Sequence, residues 1–151
     1  MASDDEKNRN ERAALERFLD ASKLLIERSS IRMLAGNSQP DFACHDTAGH
    51  EQAFEMTDIC AEEVAELAAR PEIGSVRTAD PTERIVRNKM HKKYETTLPI
   101  DLVCYWDART MSTDDMILPT IKSVVNSVSE HPFRHIWFHG EEGVHLVASV
   151  G

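Results

Sequence analysis

The chain has no run of about eighteen apolar residues, the minimum for a membrane-spanning helix, so no membrane segment is expected. Its opening residues are rich in Asp, Glu, Lys and Asn, where a cleavable leader would need an apolar core, and a cytoplasmic protein is the expectation. Cysteine is scarce: Cys44, Cys60 and Cys104 are an odd set of three, which argues against a disulfide framework and for reduced thiols. The sequence also lacks a serine or cysteine nucleophile motif, a phosphate loop, a dinucleotide fingerprint and any internal repeat. A formal net charge of −9 excludes a protein that coats nucleic acid through bulk positive charge. Cations are distributed unevenly as well. From Asp41 to Ala69 there is no Lys or Arg, whereas Arg84, Arg87, Lys89, Lys92 and Lys93 crowd the segment from Thr82 to Tyr94 with only Glu83 opposing them.

What is present is the apolar content of one ordinary globular domain: 41% hydrophobic residues in 151. Residues 1–10 read as a flexible polar N-terminus and 11–151 as a single α/β domain. Leu15, Phe18, Leu19, Leu25 and Ile26 recur at helical spacing and predict a first helix over Glu11 to Arg28. Short strands are expected at Ile31 to Leu34 and Asp41 to Cys44, with a turn at Thr47-Ala48-Gly49 and a strand over Gln52 to Ile59. The period of two places Ala53, Glu55, Thr57 and Ile59 on one face of that strand. Glu62 to Ala69 favours a short helix and Arg70 to Pro81 a loop. Pro81 starts a basic helix with Ile85, Val86 and Met90 inward, running to Tyr94. Ile100 to Trp106 is an interior strand, Asp114 to Ser129 a helix with an apolar stripe, and Phe133 to His139 with Val144 to Val150 a terminal hairpin. The fold class expected is α/β, a mixed central sheet flanked by helices.

Chemistry converges on the acidic half. Neighbouring strands lie about 4.8 Å apart, so Asp41 and Glu55, joined through a short turn, can meet across a strand pair and offer the hard oxygens that Mg²⁺ prefers. Cys44, His45, His50 and Cys60 are zinc-type ligands, but their spacing does not form a metal knuckle. Cys104 alternates inside an apolar strand and reads as a core thiol. His135 and His139 share a strand face with Trp137 near the carboxyl terminus, alongside His131 and His145, and read as amphipathic positions of a half-exposed hairpin or as a substrate- or metal-binding edge.

Pro40-Asp41-Phe42, a hairpin, and then Ala53-Phe54-Glu55-Met56-Thr57, with a helix before and a helix and strand after, resemble the PD-(D/E)XK nuclease superfamily over roughly Glu11 to Trp106. The resemblance implies a restriction-endonuclease-like αβββαβ core, extended here by a C-terminal helix and hairpin. It implies Asp41 and Glu55 as acids for Mg²⁺ or Mn²⁺, with Glu11, or else Glu16, as a third acid from the first helix. The family's lysine two residues after the second acid is replaced by Thr57, and a hydroxyl alone cannot stabilise developing phosphate charge. The basic helix can supply that charge. Lys89 lies on its inner face and is the expected catalytic cation beside Asp41, Glu55 and Thr57, while Lys92, Lys93 and Arg87 are expected to receive phosphate. The implied activity is metal-dependent hydrolysis of nucleic acid. The alternative is a non-catalytic domain of the same fold acting as an interaction or regulatory module, and a homodimer through the terminal hairpin or the Ile117 helix is compatible with either.

Overall fold

The computed structural model describes residues 4–59, 81–105 and 114–149. The helix and loop expected between Glu62 and Asp80, together with Cys60 and Trp106, lie outside the described residues. Helix α1 (Asp4–Ser22) begins well before Glu11, because the polar residues ahead of it include good helix formers such as Glu6 and Lys7. It stops at Ser22, short of the expected Arg28. Lys23 takes a left-handed conformation at φ 65°, the geometry that terminates helices. Leu25 is consequently left 71% exposed, whereas Ala14, Leu15, Phe18 and Leu19 are buried.

Six strands follow in spatial order: β1 (Arg32–Met33), β2 (Phe42–His45), β3 (Glu51–Asp58), β4 (Ile100–Tyr105), β5 (Phe133–Gly140) and β6 (Gly143–Ser149). The first three form an antiparallel meander, β3, β4 and β5 are parallel, and β6 returns antiparallel. Parallel neighbours need crossovers, and α2 (Pro81–Met90) precedes β4 while α3 (Asp114–Ser127) links β4 to β5. The domain is thus mixed α/β with a six-stranded mixed sheet, the class expected. Among the described residues no helix is long and apolar enough to cross a membrane.

Strand alternation divides the core into two layers. One layer joins Ala53, Leu102, Cys104, Ile136 and Phe138 to Val86 and Met90 of α2 and to Ile117, Ile121 and Val124 of α3. The other joins Phe42, Cys44, Phe54, Met56 and Val103 to Ala14, Leu15, Phe18 and Leu19 of α1. β4 is buried over Ile100 to Cys104, as befits a central strand. The tight β5–β6 connection is held by Asp114 at the start of α3, whose carboxylate accepts the N–H groups of Glu141 at 3.0 Å and Glu142 at 2.8 Å. Gly140 lies against that carboxylate so closely that a Cβ there would overlap it.

The basic helix departs most from expectation. α2 ends at Met90 and the chain from Lys92 to Glu95 has no helical structure, so Lys92 and Tyr94 leave the helical track. That departure shapes the site.

Candidate active site

The ladder between β2 and β3 pairs Phe42 with Phe54, which places Asp41 opposite Glu55 one step beyond the strand end. Two hydrogen bonds clamp this corner: the Asp41 N–H donates to Glu55 Oε1 at 3.1 Å, and the Met56 N–H donates to Asp41 Oδ2 at 2.8 Å. Glu55 belongs to the face of β3 that α2 and α3 cover, and it is 0% exposed. An unpaired carboxylate buried this deeply would cost several kcal/mol. Its Oε2 instead accepts three donors: Lys89 Nζ at 2.9 Å, Tyr94 Oη at 2.8 Å and Lys92 Nζ at 3.3 Å. Lys89 reaches from the inner face of α2. Lys92 and Tyr94 reach the same atom because the helix has ended, and the Lys92 ammonium also lies 5.0 Å from the centre of the Tyr94 ring, within cation–π range.

The electrostatics of the two acids diverge. Burial pushes Glu55 upward, but the charge and hydrogen bond of Lys89, the Tyr94 hydroxyl and the Lys92 charge outweigh it and hold the carboxyl below its ordinary value. Among the described residues no Lys or Arg bonds to Asp41. Burial, the negative charge of Glu55 and that of Glu11 raise it to about 7, and its carboxyl is close enough to Glu55 to share a hydrogen bond when protonated. Glu11 on α1 is raised too, chiefly by burial and in part by the Glu55 charge, with Lys7, Lys89 and Lys92 opposing. Tyr94 is held firmly in its phenol form by burial and by the adjacent Glu55 charge.

Among the expected site residues, Asp41, Glu55, Lys89 and Lys92 are joined by direct hydrogen bonds to Glu55, and Glu11 interacts with them through its charge. Glu16 is placed elsewhere, 3.6 Å from Arg12 on the flank of α1. Thr57 is buried at 4% exposure two residues along the same strand face, and its hydroxyl makes no hydrogen bond to either acid. Arg87 is drawn away by Glu83 at 3.1 Å and by the Ser127 hydroxyl at 3.1 Å, and Lys93 is exposed. Of the three residues expected to receive phosphate, Lys92 alone contacts Glu55. Tyr94 was not singled out by sequence reasoning. Its four-residue offset from Met90 reads as continued helix, whereas its hydroxyl reaches Glu55 from the non-helical stretch after α2.

A second polar group lies on the α1 face. Asp101, 1% exposed at the start of β4, accepts Trp137 Nε1 at 3.1 Å, Arg134 Nε at 3.2 Å and a ring nitrogen of His135 at 3.2 Å. Arg134 also donates to Gln52. The sequence signal was an acid inside an otherwise apolar strand. His135, Trp137 and His139 do share one face of β5: His139 packs edge-on against Phe18 beside Trp137 and is depressed first by burial, while His135 packs against Trp137 and Asp101. Both described thiols are buried and held in the protonated form: burial pushes Cys44 up to about 11 and Cys104 up to about 12.

Among the described residues, no three His, Cys, Asp or Glu side chains are arranged as a complete ligand set. The donor chemistry at Asp41 and Glu55 nevertheless suits a hard divalent ion. The two carboxyls are near enough to share a proton, and burial with the charges of Glu55 and Glu11 raises Asp41, a repulsion that a bound cation would relieve. Compared with family models, with curated proteins and with solved structures, the chain shows no significant match.

Proposed function

We propose that this domain hydrolyses phosphodiester bonds of nucleic acid with Mg²⁺ or Mn²⁺, using the Asp41–Glu55 corner as its active site. The observation that supports this most is the delivery of Lys89 from α2 to within 2.9 Å of Glu55 Oε2, which supplies the cation that Thr57 cannot. Asp41 and Glu55 would hold the ion, with Glu11 reaching it directly or through water. When bound, such an ion lowers the pKa of a coordinated water and neutralises charge on the phosphate.

The remaining work falls to the chain's own groups. Asp41, raised to about 7, would have to give up its proton to serve as a ligand, so metal binding would strengthen as pH rises through 7. Lys89 is placed to donate to the attacking water or to a phosphate oxygen, where a fixed cation in a buried setting is worth far more than in bulk solvent. Tyr94 and Lys92 fix the Glu55 carboxylate so that its orientation does not depend on Lys89 alone. Lys92, 34% exposed in its side chain, is the cation nearer to solvent and to an incoming phosphate.

The test is cleavage of single-stranded DNA, duplex DNA and RNA in Mg²⁺ or Mn²⁺, by wild type and by Asp41→Asn, Glu55→Gln and Lys89→Met prepared identically. Cleavage by wild type that falls by about a hundredfold or more in each variant is the expected outcome, the size of effect typical when one charge-stabilising group is removed. Equal cleavage in all four preparations excludes this corner as the source.

One observation favours a second reading. Every oxygen of Glu55 is already engaged by a partner of this chain, as in a finished structural ion-pair network. On that reading the domain is a non-catalytic module, and neither metal binding nor cleavage follows.

A further inference from the structure

A groove of about 520 Å³ runs along the flank of α1, lined by Asn8, Arg9, Arg12 and Glu16 from the helix and by Met33 and Phe42 from the two strands beneath it. We infer that this groove binds single-stranded nucleic acid and leads it to the acid corner, an inference that rests on the hydrolytic reading for its direction but not for its binding chemistry. Glu11, the residue before Arg12 on α1, feels the charges of Glu55, Lys89 and Lys92, so the helix that lines the groove passes beside the acid corner. The groove's volume is in the range of sites for small organic ligands, about 300 to 1,000 Å³, which accommodates one or two splayed nucleotides.

The lining has the two components that single strands require, cations for the backbone and apolar surface for base faces. Arg9 makes no ion pair among the described residues. Among the described residues Arg12 pairs only with Glu16, 3.6 Å from its Nε and beyond hydrogen-bonding distance; the Nε is shielded from solvent, and with the side chain 39% exposed it is the terminal amino groups that face outward. A guanidinium with unfilled donors is suited to a phosphate and stacks on bases as well. Met33 is 55% exposed on an edge strand of only two residues, an apolar side chain that a flat base can cover. A duplex keeps its bases stacked inside and would leave that surface unused. The chain's overall charge of −9 makes these arginines more conspicuous, since diffuse attraction for phosphate is absent.

Fluorescence anisotropy with a labelled twelve-nucleotide oligo(dT), and with a labelled duplex of the same length, tests the inference in EDTA so that no cleavage intervenes. Wild type should prefer the single strand, Arg9→Ala/Arg12→Ala should bind it at least about tenfold more weakly, and the salt slope should fall by about 1.4, two phosphates' worth for a single strand. Glu16→Gln, which frees Arg12 without removing a cation, should tighten binding by about two- to fivefold. Met33→Ala should weaken binding with the salt slope unchanged. Tighter binding of the duplex, or an unchanged affinity in the double arginine variant with a native circular dichroism spectrum, overturns the inference. Groove-dependent binding with no Glu55-dependent cleavage retains the groove and removes the hydrolytic reading; Glu55-dependent cleavage with groove-independent binding does the reverse.

Discussion

Replacing Asp41 by Asn removes a titrating carboxyl while keeping its shape and its capacity to accept the Met56 N–H, so the variant isolates the electrostatic burden of the corner. Burial and the charges of Glu55 and Glu11 raise Asp41 from 3.8 to about 7, which means that the native protein holds a proton the unfolded chain has already released between those values. Stability from this group is fully present below about pH 4 and is lost as pH climbs through about 7. At about 1.4 kcal/mol per tenfold change in proton affinity, the gap sets a ceiling of about 4 kcal/mol, of which about 3 kcal/mol falls between pH 5 and pH 8.5. Urea unfolding of wild type and Asp41→Asn at those two pH values measures the difference directly. The variant should gain about 3 kcal/mol on wild type between pH 5 and pH 8.5, with unchanged m-values. Parallel pH dependence in the two proteins would refute the like-charge cluster, because it would mean that Asp41 titrates as an ordinary exposed carboxyl.

Other perturbations probe separate parts of the same account. Lys89→Met withdraws the closest cation from a buried carboxylate and should cost about 2 to 4 kcal/mol at pH 7, partly offset by Lys92 and Tyr94; since Glu55 is held below its ordinary value, that loss should shrink as pH falls below about 4.5, read by denaturant titration at pH 7 and pH 4. Tyr94→Phe deletes one hydrogen bond to a charged group and should destabilise by about 1.5 to 3 kcal/mol, a cost that urea melts would show to be near zero if the hydroxyl were idle. Asp101→Ala strands Arg134, His135 and Trp137 and should cost about 3 kcal/mol or more, visible as a lowered thermal midpoint without change in metal affinity. Gly140→Ala drives a methyl group against the Asp114 carboxylate and should destabilise by about 1 to 3 kcal/mol, whereas an unchanged midpoint would show that the hairpin yields freely.

The strands were legible because period-two patterning at Gln52 to Ile59 and the apolar run at Ile100 to Trp106 require a sheet with two buried faces. The same patterning put Glu55 and Thr57 on one side and set Asp41 opposite Glu55. Helix ends were less legible. α1 overran its apolar stripe into Asp4 because charged helix formers extend a helix that packing has already secured, and it stopped at Lys23 through a backbone conformation that no side-chain pattern announces. The stop of α2 at Met90 mattered most, since Lys92 and Tyr94 reach Glu55 from the non-helical stretch that follows it. The partners of Arg87 were not legible either: Glu83 lies one turn earlier, but Ser127 is on α3 and meets it only through packing between two helices. The Asp101 group was half visible, as an acid in an apolar strand, but its cations come from β5, far along the chain.

Calorimetric titration with Mn²⁺ at pH 7.5, on wild type and on Asp41→Asn, tests most directly whether the buried acid corner is a metal site. The account predicts saturable one-site binding with proton release in wild type, and binding weakened by at least about tenfold in the variant. An absence of Mn²⁺ binding by folded wild-type protein, or identical binding by the two proteins, would contradict it and leave Glu55 and its three donors as a structural ion-pair network.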